Sequence, residues 1–137
     1  MPEISRYCIP YTPFSGALEK SCVGVVTTAG AHLRTQDPFV LEGDTSFRLI
    51  PADATIDQVT ITHGDYDHAD ARADINCVLP LDVLRELVSH RQLGAITPEH
   101  LSMGFSQAMR DIKERVAPEI AQIVRRWKPD AILLTAG

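Results

Sequence analysis

Residues 21–28, SCVGVVTT, followed at 29–32 by AGAH, decide the fold class of this chain. The run is short, β-branched and apolar on both of its faces. A strand sandwiched between two covering layers carries such a run, because neither face meets water. It closes on Ala29, Gly30, Ala31 and His32, which read as a small-residue turn. Upstream, residues 1–20 hold Pro2, Pro10, Pro13, Ser15 and Gly16 and are expected to form an irregular arm. The span 21–137 is expected to be one α/β domain.

Further elements follow downstream. Phe47–Ile50 and Val59–Thr62 read as short strands, with a turn or one helical turn over Pro51–Asp57. From Pro80 the period changes: Leu81, Leu84, Leu87 and Val88 share one helical face, with Pro80 tolerated at the first turn. Leu93–Phe105, carrying His100, is expected to be a loop. Met109, Ile112, Val116, Ile120, Ile123 and Trp127 recur every three or four residues and predict a helix over 106–127, kinked or split in two by Pro118. Lys128-Pro129-Asp130 stops it, and Ala131–Thr135 is the last strand. Strands alternating with helices predict α/β architecture with a mostly parallel sheet and flanking helices.

Composition narrows the function. The chain has 137 residues, 45% hydrophobic and 23% charged, with a net charge of −5. These values suit a globular domain and exclude long disorder. No apolar run is long enough for a membrane-spanning helix, and residues 1–11 show no apolar core of a signal peptide. The basic cluster Arg125, Arg126, Lys128 lies at a helix end, where the dipole favours it, so no nucleic-acid stripe is present. Cys8, Cys22 and Cys77 are scattered and odd in number, which points to reduced thiols in a cytoplasm. Cys77 lies in apolar surroundings and is expected to be buried and inert. No GxGxxG, GxxxxGK[ST] or GxSxG motif occurs, so nucleotide chemistry and serine hydrolysis have no support.

Ligands of open α/β sheets bind beyond the carboxyl ends of the strands. Three such ends read Thr27–His32, Thr62–Asp65 and Thr135–Gly137, and parallel strands would bring them to one edge. The middle one opens the densest titratable stretch: His63, Asp65, Asp67, His68, Asp70 and Asp74 fall within twelve residues. Imidazoles beside carboxylates move protons near neutral pH. The candidate catalytic residues are therefore His32, His63, Asp65, Asp67 and His68. Asp70 and Asp74 also suit helix caps. A second reading makes His63, Asp65, Asp67 and His68 metal ligands. THGDYDH differs from the THxHxDH string of the metallo-β-lactamase superfamily by Asp65 in place of a His, and the glycines expected after His68 are absent.

Three strings together carry a resemblance: IPYTPFSGALEKSCVGVVTTAGAHLRTQDPF (9–39), HGDYDHADARADINCVLPLDVLREL (63–87) and the ending AILLTAG. The chain resembles the selenoprotein B family of glycine, sarcosine, betaine and D-proline reductases. Its short lead-in to the first strand is closer to the D-proline branch. The resemblance implies a subunit that reductively cleaves a C–N bond of a small amino acid. It implies a selenocysteine or cysteine just after residue 137, a pyruvoyl group on a partner subunit and a dithiol electron donor. A selenol suits the task because it is ionised at neutral pH, whereas a thiol is mostly not. Since the redox residue would follow the final strand, the chain is expected to be truncated there and inactive by itself. A non-catalytic assembly subunit is the alternative. Ile132, Leu133 and Leu134 on an uncovered last strand predict oligomerisation or low solubility.

Overall fold

The computed structural model describes residues 13–137; Cys8 and most of the expected arm lie outside the described residues. At the centre is β1 (Cys22–Thr27), flanked on one side by β7 (Ala131–Thr135). On its other side lie the short β5 (Ala95–Ile96) and then β6 (Glu99–Met103). All three neighbours run parallel to β1; β7 is in register from Val23 opposite Ala131 to Thr27 opposite Thr135. β3 (Phe47–Pro51) closes the far side of β6 and is antiparallel to it. The sheet is thus mostly parallel, and the expected α/β class holds.

The third expected strand does not join this sheet. β4 (Val59–Ile61) pairs antiparallel with β2 (Ala31–Leu33), and this two-stranded ribbon lies on one face of the main sheet. Its core, with Val25, Ile50, Ile61 and Leu79 all almost fully buried, also takes in α1 (Ala69–Ala73) and α2 (Leu81–Ser89). The stretch 29–32 is therefore a turn only at its start. Gly30 takes a left-handed φ of +72°, and the chain re-enters a strand at once. That buries His32, expected in the turn, at 4% exposure.

The opposite face is covered by one long helical segment. It begins at α3 (Met109–Asp111), widens into a π turn over Ile112–Val116 and continues as α4 (Ala117–Trp127). Pro118 explains the π turn. It withdraws a donor from the ladder and its ring needs room against the preceding turn, which a wider turn supplies. Ile112, Val116, Ile120 and Trp127 pack on Val26, Leu101 and Met103 as the helical period requires. Met109, expected in that stripe, is 67% exposed because the helix has barely begun there. The helix ends at Lys128 in the left-handed region (φ 53°, ψ 48°). Asp130 then latches β7 to β1: its carboxylate accepts the Cys22 N–H at 2.8 Å and its own N–H donates to the Cys22 carbonyl at 2.8 Å.

Two further expectations fail for stated reasons. The loop over Leu93–Phe105 is in fact β5 and β6. Leu101 and Met103 face the helix, while His100 and Ser102 face the ribbon, both fully buried. Inward polar residues on alternate positions erase the apolar signature of a buried strand. Cys77 is exposed, because the 3-10 turn Ile75–Cys77 aims Ile75 inward and rotates Cys77 out. At β7, Leu133 and Leu134 are 42% and 75% exposed, whereas Ile132 is half-buried against Gly24. Among the described residues, no helix is long and apolar enough to cross a membrane.

Candidate functional site

Four strand ends are tied together through residues 28–30. The Thr28 N–H donates to the Thr135 carbonyl at 3.1 Å, extending the β1–β7 ladder past the strands. The Gly30 N–H donates to the Met103 carbonyl at 2.8 Å, and the Gly30 carbonyl accepts the Thr62 N–H at 2.9 Å. The ends of β1, β7, β6 and β4 therefore meet at one rim. Gly30 is required there twice over. Its φ is left-handed, and a Cβ would press into the Thr62 carbonyl, with the carbon only 3.0 Å away.

The stretch after β4 enters this rim directly. His63 is half-buried; its Nδ1 accepts the Asp65 N–H at 3.2 Å, so in the neutral ring Nε2 carries the proton, and the ring lies against the Thr28 backbone. Burial pushes the His63 pKa below its ordinary value. The Asp65 charge opposes this, His68 adds to it, and the Thr28 backbone opposes it. His63 is therefore a neutral imidazole near pH 7. It lines a cavity of about 310 Å³ between the ends of β1 and β6 and the start of the long helix. The rest of the wall is mostly apolar: Met103, Gly104, Phe105, Met109 and Ile112. Phe105 meets the His63 ring edge-on at 5.7 Å.

His68 contacts Tyr66. Its Nδ1–H donates to the Tyr66 carbonyl at 3.0 Å, which leaves Nε2 as the ring's acceptor. The Tyr66 ring contacts both imidazoles, with centroids 4.8 Å from His63 and 5.6 Å from His68. Its hydroxyl donates to the Ala29 carbonyl at 3.1 Å. Gly137 packs against the same ring. Burial raises the Tyr66 pKa, with Arg72 opposing, so the phenol stays protonated.

The remaining candidates divide. Asp65 is exposed and acts on His63 through its charge. Asp67 is exposed and its carboxylate takes the Ala69 N–H at 3.0 Å, in the turn that leads into α1. Asp74 caps the following 3-10 turn through the Asn76 N–H, while Asp70, the other expected cap, lies inside the first turn of α1. His32 is not on the rim surface. Its Nδ1–H donates to the Leu33 carbonyl and its Nε2 accepts from Thr62, both at 2.9 Å, so both ring nitrogens are engaged inside the fold. Among the described residues, no three His, Cys, Asp or Glu side chains converge as metal ligands, so the metal reading of His63, Asp65, Asp67 and His68 has no geometric support.

Residue-by-residue reading of the sequence missed Tyr66 and the β6 end, Met103–Phe105. The signal for Tyr66 was its place between two histidines in HGDYDH. The β6 end gave no signal, because the strand itself went unrecognised.

Residues 49–137 match the glycine/sarcosine/betaine reductase selenoprotein B family. The chain is 38% identical over 128 residues to D-proline reductase subunit gamma of Acetoanaerobium sticklandii, covering 93% of this chain and 53% of that protein. It is 27% identical over 143 residues to glycine reductase complex component B subunit gamma of Symbiobacterium thermophilum, covering 99% of this chain and 32% of that protein. The corresponding subunit of Carboxydothermus hydrogenoformans is 25% identical over 142 residues, with coverage of 99% and 32%. The chain thus spans about half the length of the first relative and a third of the other two. No solved structure matches the chain.

Proposed function

The chain belongs to the glycine/sarcosine/betaine reductase selenoprotein B family, and on that premise we propose that it serves as a subunit of an amino-acid reductase complex that reductively cleaves a C–N bond. The D-proline reductase relative makes a D-proline-like substrate the first to test. In this reading a selenocysteine or cysteine following β7 supplies the nucleophile, a pyruvoyl group on a partner subunit holds the substrate nitrogen, and a dithiol donor returns two electrons. The reduced cysteines suit a cytoplasmic setting.

The chain's own part is the rim. The single observation that carries the reading is the meeting of the β1, β6 and β7 ends beside His63, with Gly137 packed on the ring that contacts both His63 and His68. A nucleophile next along the chain from β7 would emerge beside two imidazoles. His63, with its proton on Nε2, is the candidate to give that proton to the departing amine. His68 offers Nε2 as the acceptor for a thiol's proton where cysteine stands in for selenocysteine. The half-enclosed, largely apolar cavity would exclude water from the aliphatic part of the substrate. The exposed Leu133 and Leu134 support docking against the rest of the complex.

The test is reconstitution. The full-length subunit, expressed with selenium and combined with its pyruvoyl partner, is assayed for dithiol-dependent ring opening of D-proline. Turnover that requires both subunits is the expected result. A complex that assembles but turns nothing over would leave the assembly reading in its place.

A further inference from the structure

We infer that Tyr66 is a positioning residue: its ring holds His63 and His68 in place at the tip of β7, and its hydroxyl anchors that ring to β1. The catalytic consequence rests on the functional reading above; the positioning itself stands on geometry alone.

HGDYDHAD is a polar, glycine-containing stretch, and most of it is exposed. Each imidazole has a hydrogen bond inside the segment, His63 Nδ1 accepting the Asp65 N–H and His68 Nδ1 donating to the Tyr66 carbonyl, but these bonds tie the loop only to itself, and a polar loop of this composition samples many arrangements unless it is anchored to the fold. Tyr66 is half-buried, as His63 and His68 are, and its side chain carries an anchor to the fold. The hydroxyl donates to the Ala29 carbonyl, in the turn that ties the four strand ends. One side chain thereby links the loop after β4 to the end of β1. The ring meets both imidazoles edge-on, with interplanar angles of 64° to His63 and 74° to His68. Edge-to-face contacts of this kind are directional and fix ring orientation as well as distance.

Gly137 is the matching half. A Cβ at this position would clash with Cε1 of Tyr66, stand 2.6 Å from its Cζ and 3.0 Å from the Ala29 Cα. The tip of β7 can therefore lie against Tyr66 only because the residue there has no side chain. The flexible group in that contact is the Tyr66 ring, so an added methyl would displace it and the two imidazoles with it. The groups facing this assembly are Asp65 and the Thr28 backbone at His63, and Arg72 at Tyr66.

The experiment compares Tyr66→Phe, Tyr66→Leu and Gly137→Ala in the 137-residue chain by NMR, and carries the same variants into the reconstituted complex. In the parent chain the ring protons of His63 and His68 and the Hα protons of Gly137 should show ring-current shifts and cross-relaxation to the Tyr66 ring. Tyr66→Phe keeps the ring and should retain most of this pattern. Tyr66→Leu should abolish it, and Gly137→Ala should move all three sets of signals together. In the complex, Tyr66→Leu should lower kcat roughly ten- to a hundredfold with little change in KM, as a misplacement of about 1 Å in a catalytic group does, and Phe should restore most of the loss. Histidine signals unaltered by Tyr66→Leu would overturn the inference whatever the activity. Signals that move while turnover stays at the parent rate would leave the positioning standing and remove His63 and His68 from the chemistry, which is a failure of the functional reading instead.

Discussion

Replacing His100 should flatten the acid limb of this chain's stability curve. The residue sits in the middle of β6 with none of its surface exposed. Its Nδ1 accepts the Val25 N–H from the neighbouring strand at 3.3 Å, so the proton resides on Nε2, which has no partner among the described residues. A second proton would have to enter at Nδ1, where it would face the Val25 N–H. Desolvation, with Arg85 adding to it, lowers the His100 pKa from 6.5 to about 4. The folded pKa lies below the unfolded one. The stability due to the neutral ring is therefore fully present above about pH 6.5 and is lost as the pH falls toward about 4. At 1.36 kcal/mol per unit, the loss between about pH 7.5 and pH 4.5 is about 2.5 kcal/mol. His100→Asn keeps an acceptor for the Val25 N–H and cannot titrate. It should cost stability at all pH values but lose about 2.5 kcal/mol less than the parent over that interval, since the carboxylates are common to both and cancel. Urea unfolding followed by circular dichroism at the two pH values gives both differences. Equal losses in parent and variant would refute the burial argument.

Other expectations are simpler to check. Leu101→Ala, at a position with no exposure between sheet and helix, should cost about 2–5 kcal/mol in urea unfolding, whereas Leu134→Ala, 75% exposed, should stay within about 0.5 kcal/mol. Lys128→Gly relieves a left-handed residue at the end of α4 and should raise stability by up to about 1 kcal/mol in the same assay. Cys77 is exposed, while the pKa of half-buried Cys22 is raised by burial and by Asp130. Iodoacetamide should therefore modify Cys77 before Cys22, as peptide mass spectrometry would show.

The parts of the fold that could be read from the sequence are those whose side chains obey one period. β1 announces itself through Val23, Val25 and Val26, α2 through Leu81, Leu84 and Leu87, and α4 through Ile120, Ile123 and Trp127. β6 does not, because His100 and Ser102 are polar and still face inward, where neighbours on β1 and β3 rather than hydropathy decide the strand. β2 is only three residues long and follows the Gly30 turn so closely that the turn signal hides it. The site divides in the same way. His63 and His68 stand out because imidazoles and carboxylates crowd the end of a strand. That Tyr66 reaches Ala29 and Gly137, and that Phe105 comes to His63, depends on which strand ends meet, and that is tertiary information. His32 shows the converse: its place beyond a strand end suggested the rim, and the strand that follows carries it into the core.

The most direct measurement is the turnover of the reconstituted reductase complex with His63→Ala and His68→Ala subunits, beside His90→Ala on the exposed end of α2 as a control. Loss of proton transfer at the rim predicts kcat reduced roughly a hundredfold for the first two variants and an unaltered rate for the third. Parent-level kcat in both His63→Ala and His68→Ala would contradict the claim that this rim carries the chemistry.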